Sequence, residues 1–225
     1  MHINLHKSIM VGILREIYTD STLGGQLGFK GGTAALLFYG LPRFSVDLDF
    51  DLLNYDNKEL VFERIQKIVS KYGDVIEATD KRYTLFFLVS YQKRERNLKV
   101  EISKRPIKSK FVVKNYLGIS MLVTDKEDML ASKLTALITR KKFANRDVFD
   151  LWYFLKNNWE LKEELVKKKS GLTISQALDK AIDRIKNIKK TEILNGLGEL
   201  VDEKQKVWVK EKLTNELIFL LELQK

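Results

Sequence analysis

A chain of 225 residues with 44% hydrophobic residues, including 12 Phe, 8 Tyr and 3 Trp, can bury a sizeable core, which excludes a disordered linker or tail. It holds no cysteine, so disulfides and thiolate metal sites are excluded, and no apolar run approaches the ~20 residues of a membrane-spanning helix. The formal charge of +10 is concentrated: Lys81 to Lys114 carries eleven Lys and Arg against two acids, Glu95 and Glu101, whereas Lys156 to Lys225 carries fifteen basic and twelve acidic residues.

The chain opens with Leu5, Ile9, Met10, Ile13, Leu14, Ile17 and Tyr18 at spacings of three and four, the pattern of an amphipathic helix. Arg15 and Glu16 interrupt this apolar stretch, so it does not read as a secretion signal, and the expected location is cytoplasmic. His2 and His6 stand four apart in this helix, but a histidine metal site needs further ligands and the chain has no third histidine. "STLGGQL" reads as a loop, and "GFKGG" leads into a helix over about Thr33–Tyr39 that "GLP" ends. A strand is expected over about Ser45–Leu53 and a helix near Lys58–Tyr72. "DVIEATD", "YTLFFLVSY" and "LKVEIS" read as strands, and "KFVVKNYLGISMLVT" adds one or two more. From Asp125 the period changes to that of helices: "DKEDMLASKLTALITR", "NRDVFDLWYFLKNN", "ISQALDKAIDRIKNI" and a last one near Lys204–Leu223. The expectation is a mixed-sheet α/β core over residues 1–124 and a helical region over 125–225, an α+β protein.

The strand at Ser45–Leu53 is unusual. Asp47, Asp49 and Asp51 alternate with Val46, Leu48, Phe50 and Leu52, so three carboxylates project from one face and the apolar side chains from the other. Two divalent ions ~4 Å apart need converging oxygen ligands, and aspartates at i and i+2 of one strand meet that need. Glu101, flanked by Val100 and Ile102 in "LKVEIS", is the candidate third ligand. Alone, an Asp-x-Asp pair is weak evidence for metal, since acids facing solvent on a one-sided sheet are common. Here Gly31-Gly32-Thr33 precedes it. Glycines let a backbone approach phosphates closely, the first N–H groups of a helix attract them, and Thr33 supplies a hydroxyl and a candidate helix cap. Turn, helix and acidic strand together read as one phosphate-and-metal module.

The ordered pattern "FKGGTAALLFYGLPRFSVDLDF" resembles the AbiEii/AbiGii toxin family of abortive-infection and toxin–antitoxin systems, within the DNA polymerase beta-like nucleotidyltransferases. Tyr39, Arg43, Ser45, Asp47 and Asp49 fill that family's places; "SKLTALITR" resembles its lysine motif, giving Lys133 and Arg140, and "NRDVFDLWYFL" its Arg-Asp…Asp-Leu motif, giving Arg146, Asp147 and Asp150. The resemblance covers about Gly28–Leu155 and implies a polymerase-beta-like core that the C-terminal helices complete as an active-site cleft. It implies an enzyme that moves a nucleotide from a nucleoside triphosphate to the 3′ end of transfer RNA, two Mg²⁺ ions, and a cognate antitoxin as partner.

Under that resemblance Asp47, Asp49 and Glu101 would hold metal, while Gly31, Gly32, Thr33, Arg43, Ser45 and Arg140 would contact nucleotide. Lys133 would neutralise the departing pyrophosphate. Asp147 and Asp150 share a helix face, one as a base or substrate ligand and the other as a helix cap. The basic segment 81–114 suits an RNA acceptor. Equally, lysines guarding a strand edge and surface ion pairs around Lys133 and Arg140 would produce the same residues. Two other functions keep the fold: a small-molecule nucleotidyltransferase of the antibiotic-modifying type, and a non-catalytic RNA-binding module. Phe149, Trp152 and Tyr153 recur at helical spacing and read as core, not as base-stacking residues.

Overall fold

The computed structural model describes residues 2–106 and 109–225, so Lys108 of the basic segment lies outside the described residues. The chain divides into two compact units: Met1–Gly40 with Phe44–Thr124, and Leu41–Arg43 with Asp125–Lys225.

Among the described residues the first unit is a seven-stranded mixed sheet with three α-helices. In chain order it runs α1 (Ile3–Thr19), β1 (Leu27–Lys30), α2 (Gly31–Tyr39), β2 (Asp47–Leu52), α3 (Lys58–Val69), β3 (Asp74–Lys81), β4 (Thr84–Ser90), β5 (Leu98–Ser103), β6 (Phe111–Tyr116) and β7 (Ile119–Thr124). The strand order is β3-β4-β5-β2-β1-β7-β6, with β2/β5 and β1/β7 parallel and the other pairs antiparallel. Alternation builds the core: Phe29, Leu48, Phe50, Leu85, Phe87, Val100 and Ile102 are all fully buried. α2 covers this face through Phe38 on Phe29, and α3 through Phe62 on Phe87, at ring distances of 6.4 and 4.9 Å. From sequence, Gly31-Gly32-Thr33 reads as a strand-to-helix turn, but the strand before it has no bounds of its own. Four residues including a glycine carry almost no local β signal, and β1 is a strand because β2 and β7 hydrogen-bond it from both sides.

The second unit is helical: α4 (Lys126–Thr139), α5 (Asn145–Lys156), α6 (Glu163–Ser170), α7 (Ile174–Lys186), α8 (Glu203–Trp208) and α9 (Thr214–Glu222), the last two joined by a π-helical turn at Val209–Leu213. Capping boxes start α7 (Thr173 with Gln176) and α8 (Asp202 with Gln205). α6 escapes the sequence reading because Val166 is its one buried residue, so it has no apolar periodicity to detect. The aromatic-rich α5 is core, as its spacing suggests: Phe149 and Trp152 are buried and pack with Trp208, and Phe154 stacks on Trp159 at 4.0 Å. Tyr153 is only partly buried.

Candidate active site

Register decides what the acidic strand can do. β2 and β5 run parallel with Asp49 opposite Glu101, Asp47 opposite Lys99 and Asp51 opposite Ser103. Residues paired across neighbouring strands share a face, so Asp47, Asp49 and Glu101 all project from the side opposite Leu48, Phe50 and Val100. Asp47 and Asp51 are buried, whereas Asp49 and Glu101 are partly exposed. The third acid of the run has a simpler partner than a metal: Lys30 on β1 reaches Asp51 at 2.5 Å. Among the described residues, no three acids or histidines already stand together as a metal cage.

The Gly-Gly turn abuts this row. Gly31 has φ of +77°, and a Cβ built there would lie 2.5 Å from Asp49 Oδ2, so glycine is required both by the backbone and by the carboxylate beside it. α2 starts at Gly31 with no side chain capping its N-terminus. Lys30, at the cap position, therefore makes no side-chain bond to the N–H groups that follow at Gly31 and Gly32, which suits an anion site at a helix start.

Thr33 departs from its expected role. It is neither the cap nor exposed to a phosphate; its fully buried hydroxyl donates to the Asp47 carbonyl at 2.5 Å and lies 3.0 Å from Ser45 Oγ. It braces the acidic strand, and Ser45, itself buried, is part of that brace. A second brace comes from a residue whose spacing suggested only a chance pair. His6 is fully buried, with Nε2 2.9 Å from the Val46 carbonyl and Nδ1 2.7 Å from the Tyr91 hydroxyl. Since a carbonyl only accepts, Nε2 carries the proton and the tyrosine donates to Nδ1. Burial pushes the His6 pKa below its ordinary value, and the neutral ring fits this geometry. No sequence signal distinguishes this histidine, because its partners are 40 and 85 residues away.

The second unit gathers the remaining candidates into one charge cluster. Asp150, fully buried, takes two hydrogen bonds from Arg43, at 2.5 Å from Nε and 2.7 Å from Nη2. Lys133 lies 2.7 Å from Asp150 and 3.0 Å from Asp147, and Arg140 lies 2.7 Å from Asp147. Against the desolvation that burial imposes on both groups, the Arg43 guanidinium and Lys133 ammonium hold the Asp150 carboxyl below the usual carboxylate range, and Asp147 and Asp150 raise Lys133. Arg43 was expected to touch nucleotide. It is instead buried in a bidentate pair with Asp150, a geometry that satisfies a guanidinium and a carboxylate together. Neither acid caps its helix, since position Ala144 precedes α5 and makes no side-chain cap.

Comparison with known proteins agrees with the fold. The family model of the nucleotidyl transferase AbiEii toxin, type IV toxin–antitoxin system, matches residues 12–208. No curated protein matches the chain. Among solved structures, a protein from H. pylori assigned as a nucleotidyltransferase aligns at TM-score 0.59 and 22% identity, over 99% of this chain and 97% of that one. JHP933 from Helicobacter pylori aligns at TM-score 0.56 and 24% identity, over 97% and 93%. The antibiotic-resistance factor ANT(2″)-Ia aligns at TM-score 0.50 and 12% identity, over 75% and 91%. At these identities the likeness is one of fold. The family match, spanning most of the chain and including β1, β2, β5 and the buried charge cluster, is more specific: the chain belongs to the AbiEii nucleotidyltransferase toxin family of type IV toxin–antitoxin systems.

Proposed function

We propose that this nucleotidyltransferase moves a nucleoside monophosphate from a nucleoside triphosphate to an RNA hydroxyl, the 3′ end of transfer RNA being the acceptor, and so acts as a growth-arresting toxin held in check by a cognate antitoxin. The observation that carries the reading is the in-register pair Asp49–Glu101, with Asp47 on the same face and the uncapped Gly31-Gly32 helix start against Asp49. The donor set fits magnesium by chemistry, since it is all carboxylate oxygen on one sheet face and two of its members are direct cross-strand neighbours. Asp47, Asp49 and Glu101 are the residues that would hold it. Bound there, the metal would lower the pKa of the attacking hydroxyl and offset charge on the triphosphate.

The chain's own groups do the rest. The N–H groups at Gly31 and Gly32 would orient the phosphates, and Gly31 lets them approach without a side chain in the way. His6 and Thr33 hold the Val46 and Asp47 carbonyls, which fixes the strand on which both aspartates stand. The basic segment 81–114 would draw in a polyanion. The test is incubation of the pure protein with each radiolabelled nucleoside triphosphate, bulk transfer RNA and Mg²⁺. Labelled RNA is expected, lost with chelator and in Asp49→Asn, whose partly exposed position leaves the fold intact. A labelled small molecule in place of RNA, or labelling that survives Asp49→Asn, would overturn the proposal.

A further inference from the structure

The hairpin joining β3 to β4 turns through Arg82 and Tyr83. Two-residue hairpin turns favour Gly, Asn or Asp because the common types need positive φ. Neither Arg82 nor Tyr83 has positive φ, so turn geometry does not explain why a guanidinium and an aromatic ring occupy the tip. Tyr83 leaves 46% of its surface exposed, and two guanidiniums lie over its ring, Arg82 at 4.9 Å and Arg105 at 5.6 Å. Arg82 and Arg105 are themselves exposed.

The tip has a fixed relation to the carboxylate row. Phe86, three residues beyond Tyr83, stands directly opposite Glu101, which stands directly opposite Asp49. At ~3.4 Å per strand residue, Tyr83 is ~10 Å along β4 from that row. The Tyr83 carbonyl accepts from the Lys104 N–H at 2.9 Å, which pins the tip to the end of β5 three residues after Glu101. Phe86, half-buried, carries the Lys81 ammonium over its ring at 3.5 Å, so Tyr83 is the more exposed of the two rings.

We propose that Tyr83, with Arg82 and Arg105, stacks an unpaired nucleobase of the acceptor, and that the acceptor is therefore presented as a single-stranded RNA end. This rests on the reading of the protein as an RNA-directed nucleotidyltransferase. An exposed tyrosine beside two guanidiniums offers flat, cationic surfaces that bind the π-faces of bases regardless of sequence. Those faces are buried in a duplex and free at a single-stranded end, so the surface selects strandedness. An acidic protein segment would want cations without the ring, and this tip centres on the ring.

The test uses the full chain with two RNA hairpins, one carrying an unpaired 3′ overhang and one blunt. Binding is read by fluorescence anisotropy without nucleotide, and transfer by labelling with nucleoside triphosphate. The overhang RNA is expected to bind more tightly. Tyr83→Leu is expected to raise its KM and Kd roughly tenfold with the nucleotide KM unchanged, while Tyr83→Trp retains both. Equal binding of blunt and overhang RNA, preference for duplex DNA or an acidic peptide, or a Tyr83→Leu protein with unchanged RNA affinity would each overturn the stacking site. RNA labelling with Tyr83-independent affinity would sink this inference and leave the transferase reading standing. Tyr83-dependent RNA binding without any labelling would do the reverse.

Discussion

Single residues in this protein act through partners far along the chain. Gly31 shows how strict such a position can be: Gly31→Ala combines a positive φ with a Cβ 2.5 Å from Asp49 Oδ2. The conformational cost is about 1–2 kcal/mol. Displacing Asp49 is expected to lower transfer about a hundredfold while thermal unfolding shifts by only a few degrees. His6 predicts a pH effect of defined sign. Burial lowers its folded-state pKa below 6.5, against the opposing influence of the Val46 carbonyl, Asp47 and Glu95, while Arg96 lowers it further. As pH falls the unfolded chain therefore takes the proton first. Stability supplied by neutral His6 is whole above 6.5 and is lost from there down to the folded pKa, at up to about 1.4 kcal/mol per pH unit. Urea midpoints above and below that value are expected to differ more in the wild type than in His6→Gln. Lys133→Met leaves the fully buried Asp150 with one cationic partner fewer. The expected loss is about 3 kcal/mol by denaturant unfolding; loss of transfer with unchanged stability would instead mark the ammonium as acting on substrate.

Elements show where local sequence suffices and where it does not. β2 and β5 announce themselves by alternation, and α7 by its apolar stripe and capping box. β1 and α6 do not, because one is held by its neighbouring strands and the other by a single buried valine. The helix from Glu203 to Glu222 contains a π-helical turn at Val209–Leu213 that no propensity predicts. Across it, Glu216 accepts from the indole of Trp208 at 3.2 Å and from that of Trp152 on α5 at 3.0 Å. Glu216→Ala leaves two part-buried indole donors without this acceptor. It is expected to cost about 2 kcal/mol and to shift tryptophan emission, with both effects measured on one denaturant titration.

For the whole molecule, net charge is a statement about partners and not about fold. The excess of +10 lies mostly in the segment from Lys81 to Lys114, which spans β4 and β5 beside the carboxylate row. If that segment meets phosphates, acceptor affinity will fall linearly with the logarithm of salt, with a slope near −0.7 for each phosphate neutralised on a single strand. Replacing both Arg82 and Arg105 by Gln is expected to flatten the slope while leaving the nucleotide KM in place. No helix among the described residues is long and apolar enough to cross a membrane, in line with the absence of any long apolar run.

The sequence by itself determined the local chemistry: an acidic strand with carboxylates at alternate positions, a glycine turn before it, a lone Glu101 in an apolar strand, and a helical second half. Those features are legible because they depend on spacings of two to four residues. Tertiary structure alone decided the register that sets Asp49 beside Glu101 and the lysine that neutralises Asp51. It also decided the burial of Arg43 against Asp150 and the part His6 plays under Val46. Each joins residues between 21 and 107 positions apart. Side-chain spacing carries no record of such pairs, because the free energy that selects them comes from packing and desolvation in the folded chain.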